Sequence, residues 1–164
     1  MAQTFTSTAC QTFGTTGFFM NPPKYIDQGM IIKSATFNFG APYASVSATA
    51  GAVIQMVPVP KGCQVHDVIL QWDALGGGVY TVTVGDTGNA SRYIGSTSVT
   101  GSAVTRMGTN LSGVVATSLQ NGGMGYSYSA ETTINITVGT GTNATATGAL
   151  RLSVIYSMDN NQKG

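Results

Sequence analysis

Residues 79–95 read VYTVTVGDTGNASRYIG, and this stretch decides the fold class. Tyr80, Val82 and Val84 alternate with Val79, Thr81 and Thr83. Side chains on a strand project to opposite faces in turn, so the pattern gives one apolar face and one wet face. The run halts at Gly85-Asp86-Thr87-Gly88-Asn89, where turn-forming residues gather. It resumes at Arg92-Tyr93-Ile94 and halts again at Gly95. The reading is a β-hairpin with a connection of five residues or slightly more.

The same grammar repeats outward from this stretch. Strands are expected over 30–39, 53–59, 65–72, 103–107, 132–138 and 149–158, with a weak candidate at 46–50 and strand-like Tyr126 and Tyr128 sharing a face within 124–129. In 65–72 plain alternation puts His66, Val68, Leu70 and Trp72 on one face and Val65, Asp67, Ile69 and Gln71 on the other. Ile134, Ile136 and Val138 form one apolar face, and Leu150, Leu152, Val154 and Tyr156 another. Residues 109–123 are ambiguous, with a brief helical turn around Val114, Val115 and Leu119 as one reading. Eight or nine short strands with Gly-rich breaks and no clear helix specify an all-β domain. The expected architecture is a jelly-roll-like β-sandwich of antiparallel strands. An immunoglobulin-like sandwich is second, because the Cys–Trp–Cys pattern is missing.

Residues 1–29 differ from the rest. Pro22 and Pro23 set an extended path, and Phe13, Phe18, Phe19 and Tyr25 stand on a segment with little periodicity. Disordered tails are poor in aromatic residues, so an extended N-terminal arm anchored by these rings is expected. The division is thus an arm at 1–29, a sandwich domain at 30–158 and a loose polar tail at 159–164.

The 164 residues suffice for one domain without a disulfide or metal staple. Charged residues make up 8%, against about 25% in ordinary domains. The surface must therefore be mostly Thr, Ser, Asn, Gln and Gly, which is readily desolvated against another neutral surface. That favours life inside an assembly. Seven basic residues are scattered and the net charge is +1, so nucleic acid is not an expected partner. No apolar run approaches membrane-spanning length. The opening MAQTFTSTAC lacks a basic region followed by an apolar run, so no signal peptide is expected. Cys10 and Cys63 have no metal-ligand spacing; two idle thiols are expected, with a pairing left open.

Chemistry-bearing motifs are thin. Gly139-Thr140-Gly141-Thr142-Asn143-Ala144 spells a dinucleotide fingerprint, but no helix or βαβ unit can follow it, so it reads as a hairpin loop. His66 is the sole histidine, and Asp67 beside it is expected on the opposite face. A structural role is favoured over a catalytic triad. Nothing favours a spatial pair among Asp27, Asp67, Asp73, Asp86, Glu131 and Asp159 for glycosidase chemistry. Asp86 lacks calcium-loop spacing and is expected to cap its own turn. Four sequons, at Asn89, Asn110, Asn135 and Asn143, arise naturally in a Ser/Thr-rich chain. Tyr126 with Tyr128, or Tyr80 with Tyr93, offers a sugar-binding face as the functional reading and sheet packing as the commoner one. No enzyme activity, cofactor or metal is expected.

The stretch Val84-Gly85-Asp86-Thr87-Gly88-Asn89-Ala90-Ser91-Arg92-Tyr93-Ile94 and the closing Arg151-Leu152-Ser153-Val154-Ile155-Tyr156 resemble a family, together with the V-P-V-P-K-G of 57–62. The chain is similar, over 53–158, to the capsid decoration or cement proteins of tailed bacteriophages and related head-surface proteins. That resemblance implies a jelly-roll-like sandwich, no catalysis, and attachment to a capsid lattice as a homo-oligomer, dimer or trimer. The implied partner is the major capsid protein, and the implied location is the virion, after synthesis in the host cytoplasm. A head-fibre or tail-associated glycan-binding module is the alternative, and a hydrolase using His66 a third.

Overall fold

The computed structural model describes residues 4–6, 30–39, 50–75, 80–107, 123–140 and 147–158. Phe13, Phe18, Phe19, Tyr25, Cys10, all but Ala50 of the weak strand candidate at 46–50, all but Gly123 of the stretch 109–123 and the tail at 159–164 lie outside them. Nine strands are described: β1 Thr4–Thr6, β2 Ile31–Phe39, β3 Val53–Val59, β4 Cys63–Trp72, β5 Thr81–Gly85, β6 Ile94–Ser98, β7 Ala103–Arg106, β8 Thr132–Thr140 and β9 Gly148–Met158.

They form two sheets, ordered β1-β3-β8-β5-β6 and β2-β9-β4-β7. The pairings explain the order. β2 pairs with β9, β3 with β8, β4 with β7 and β5 with β6, all antiparallel. The chain from β2 to β9 is thus one long doubled ribbon whose tip is the β5–β6 hairpin. Rolling that ribbon up brings β4 against β9 and β5 against β8, which closes each four-stranded sheet. This is the jelly roll expected from the sequence. β1, within the expected arm, adds a short parallel strand to the edge of β3.

The apolar halves of the alternating strands meet between the sheets. Val82, Val84, Ile134 and Ile136 face Leu70, Leu150, Leu152 and Val154, and none of the eight is more than 1% exposed. Burial on this scale is the main favourable contribution to folding. The threonines between the β5 core residues, Thr81 and Thr83, are half-buried on the outer side.

Three local departures have physical causes. In β4 a bulge between Val65 and Asp67 breaks the alternation. Val65 therefore joins Val68, Leu70 and Trp72 in the core, fully buried, while His66 is only half-buried. A bulge inserts one unpaired residue and flips the phase of what precedes it. In the hairpin, β6 continues past Gly95 to Ser98, so the connection runs from Asp86 to Tyr93. Residues 123–130 make only a single bridge, Ser127 to Gln64, instead of a strand.

Candidate functional site

The densest polar cluster stands at the hairpin tip, where Asp86 follows β5 directly. One carboxylate oxygen, Oδ1, accepts from the Gly88 and Asn89 N–H groups, each at 2.9 Å. Asp86 caps its turn as the sequence implied. Asn89 Oδ1 then accepts from Ser91 N–H at 3.0 Å and from its hydroxyl at 3.2 Å. These local bonds curl the loop back over β5. Gly85 permits this: a Cβ there would lie 2.0 Å from the Asn89 carbonyl oxygen and 2.5 Å from the Ala90 carbonyl carbon.

The other carboxylate oxygen gathers partners from farther away. Arg92 Nε donates to Asp86 Oδ2 at 2.6 Å, and the Tyr128 hydroxyl donates to the same oxygen at 2.7 Å. With its proton so committed, Tyr128 accepts from the Tyr93 hydroxyl at 2.6 Å. The Arg92 guanidinium also lies 3.8 Å from the Tyr126 ring centre, a cation–π stack, and Tyr126 meets Tyr128 edge to face. The two side chains of the Asp86–Arg92 pair are 4% and 12% exposed, so the pair is shielded from water.

Residues 123–130 carry Tyr126 and Tyr128 to this place. Tyr128 N–H donates to the Cys63 carbonyl and Gly62 N–H to the Tyr128 carbonyl, while Val65 N–H donates to that of Tyr126. Gly123 fits against the hairpin because a Cβ there would stand 2.3 Å from the Arg92 carbonyl oxygen. The cluster is therefore a clasp. It binds the tip of the ribbon, in one sheet, to the start of β4 in the other.

Burial pushes the Asp86 pKa up, but the Arg92, Tyr128 and Asn89 hydrogen bonds and the Arg92 charge outweigh it and hold the carboxyl below its usual range. Burial raises the phenols of Tyr93 and Tyr128. The lowered Asp86 value fixes a pH dependence. Asp86 contributes its stability in full above the unfolded carboxyl's pKa of about 3.9 and loses it as pH falls through the lower folded value. Urea midpoints are expected to fall steeply on acidification through the carboxylate range, with Asp86→Asn flattening part of that slope. An equal slope in the variant would remove Asp86 from the acid response.

The clasp borders an open cleft of about 220 Å³, edged by Thr87, Ser129 and Glu131. The carboxylate that would serve it as base or metal ligand is already occupied by donors. Among the described residues no three His, Cys, Asp or Glu side chains are grouped to hold a metal ion.

The remaining candidates are dispersed. His66 Nε2 shares a 2.7 Å hydrogen bond with Ser157 Oγ across β4 and β9. Asp67 faces elsewhere, accepting from Val68 N–H at 2.9 Å and pairing with Arg106. Asp73 and Glu131 are exposed. Tyr80, Tyr93 and Tyr128 are buried and the Tyr126 ring is stacked on by Arg92, so these four pack into the structure and form no open aromatic shelf. Asn135 is 8% exposed, so its sequon is not presented openly, whereas Asn89 is half-buried in its loop with its Oδ1 accepting from Ser91. Cys63 is buried and unpaired, its thiol pushed up to about 11 by burial. The sequence reading found Asp86 as a cap and missed Arg92 and Tyr128 as its partners. The Asp–Arg spacing across a loop that folds back was the available signal for Arg92; nothing local marks Tyr128.

No protein-family model and no curated protein matches this chain. Solved structures do. A chain of the cyanophage Pam1 capsid asymmetric unit superposes with a TM-score of 0.61 at 21% identity, over 84% of this chain and 90% of that one. A chain of the capsid of Ralstonia phage GP4 gives 0.61 at 16% identity, over 94% and 97%. A chain of the acidic stable capsid structure of Helicobacter pylori bacteriophage KHP30 gives 0.53 at 14% identity, over 80% and 89%. The chain is thus similar in fold, over most of its length, to a chain in each of three phage capsid structures.

Proposed function

We propose that this chain is a non-enzymatic structural protein of a phage virion. It sits on the outer capsid surface, bridges neighbouring major capsid subunits as a homo-oligomer, and stabilises the expanded head. The observation that carries this reading is the likeness in fold, across 94% of this chain, to a chain of a phage capsid. The charge-poor composition supports it, because contacts made through neutral surfaces are little weakened by salt.

The mechanism is mass action. A protein that binds only the expanded lattice stabilises that lattice in proportion to its occupancy. Many modest sites on one shell reinforce one another through effective concentration. The arm at 1–29 is proposed to add contacts through Phe13, Phe18, Phe19 and Tyr25, either by strand addition or by seating rings in a groove. Within the chain itself, β1 at the start of the arm pairs with the edge of β3.

Purified protein is expected to co-sediment with expanded heads that lack it, and to raise the temperature at which those heads release their DNA. Removing residues 1–29 is expected to lower occupancy. Unchanged occupancy would take the arm out of the mechanism. Failure of the full chain to bind any head form, together with binding to a glycan array, would replace the bridging role with the glycan-binding one.

A further inference from the structure

We propose that a small polar pocket around Arg151, on the outer face of the β2-β9-β4-β7 sheet, is a contact site for a carboxamide: an asparagine or glutamine side chain presented by a partner protein. The site rests on its own side chains, and the virion reading bears only on whose carboxamide enters it.

Strand register builds the pocket. Arg151 stands in β9 directly opposite Thr36 of β2 and Gln71 of β4. Antiparallel partners share a face, so these three side chains form one row across three strands. Asp73 lies just past the end of β4, where its N–H donates to the Ala149 carbonyl at 3.0 Å. Gly148 lets β9 press against it: a Cβ there would stand 3.3 Å from Asp73 Cβ and 3.1 Å from the Ala74 carbonyl oxygen. Trp72 is turned inward, its indole N–H donating to the Gly101 carbonyl. Thr36, Gln71, Trp72, Asp73, Ala149 and Arg151 line a hollow of about 60 Å³. Groups carried on paired strands hold their spacing better than groups on loops.

The charged ends oppose each other here without meeting. The ion pairs among the described residues are Asp86–Arg92 and Asp67–Arg106, and Arg151 and Asp73 are in neither. Arg151 Nε reaches Thr36 Oγ1 at 3.5 Å. Among the described residues its Nη groups, the Gln71 amide and the Asp73 carboxylate have no side-chain partner. A group seated between them must offer an acceptor to the guanidinium and a donor to the carboxylate. A carboxylate would meet Asp73 as a like charge, and an ammonium would meet Arg151 as one, so the pocket rejects both. A carboxamide turns its C=O to Arg151 and its NH₂ to Asp73 and carries no charge. A water takes about 10–15 Å³ of such space, so the hollow has room for roughly four. That suits the end of a side chain and is too small for a sugar ring.

Ligand-observed saturation-transfer NMR on the full chain tests this with three probes: N-acetylglutamine amide, N-acetylglutamate amide and methyl glucoside. The glutamine probe is expected to show saturable transfer, with the glutamate probe about tenfold weaker. Arg151→Met is expected to abolish the glutamine signal with circular dichroism unchanged. Asp73→Asn removes the like charge and supplies a donor, so it is expected to reverse the preference toward glutamate. Both substitutions are at exposed positions. No saturable glutamine signal, a signal indifferent to Arg151→Met, or an unreversed preference in Asp73→Asn overturns the proposal. Transfer to the glucoside that Arg151→Met removes would give the pocket to a saccharide and overturn it too. No head is needed, so failure here is separate from failure of the full chain to bind heads.

Discussion

Asp86→Ala is expected to lower the unfolding free energy by about 3–5 kcal/mol, the usual cost of removing one partner from a buried ion pair. The magnitude follows from what is left behind. Arg92 keeps its charge in a place that is 12% exposed, without the Asp86 carboxylate. The Tyr128 hydroxyl loses its acceptor, and the Gly88 and Asn89 N–H groups lose their cap. For a domain of this size the loss corresponds to roughly 10 °C in melting temperature. Urea denaturation with intrinsic fluorescence reads it. Tyr128→Phe removes one member of the network and is expected to cost about 1–3 kcal/mol. Measuring Asp86→Ala, Tyr128→Phe and the double variant gives the coupling between them. A cost for Asp86→Ala below that of an ordinary surface substitution would show that the clasp does not hold the roll together.

Gly85→Ala is expected to be nearly as damaging, at about 3 kcal/mol, the upper end of the range for overpacking. The added methyl would meet Asn89 and Ala90 backbone atoms 2.0–2.7 Å away. Backbone on a capped loop cannot rotate aside as the end of a long side chain can. The loop would have to lift, and Asp86 and Arg92 would move with it. The variant is expected to lose acid sensitivity along with stability, because both come from one cluster. Gly101→Ala is the control, since its added methyl meets nothing within 4 Å. Equal stability of the two variants would mean the loop is not pinned to β5.

These effects bear on how much of the molecule could be read from the chain. β5, β8 and β9 were legible because each has one face in the core, and the face a residue takes follows from its parity. Val82 and Val84, Ile134 and Ile136, Leu152 and Val154 are where alternation puts them. Parity fails wherever the backbone adds a residue. The bulge at His66 leaves no compositional mark, so Val65 was assigned to the wrong face. Gly95 reads as a stop in sequence but is tolerated in β6, an edge strand whose following residues face solvent on one side. The ribbon pairings, such as Ile31 with Tyr156, join residues too far apart in sequence for any local pattern to announce them.

The clasp was half legible for the same reason. Asp86, Asn89 and Arg92 lie in one loop whose turn chemistry is local. Tyr128 arrives from another part of the chain. That β2 ends its sheet among the described residues was invisible in sequence, because an edge strand and a central strand carry the same alternation. Only the sheet order distinguishes them.

Direct imaging of the particle bears most immediately on the central claim. An electron cryomicroscopy reconstruction of purified virions from a phage encoding this chain is expected to show the two-sheet roll on the outer face of the head. Its density should span the boundary between adjacent major capsid subunits. Heads without that density, with the protein recovered only from the soluble fraction of lysed cells, would contradict the account.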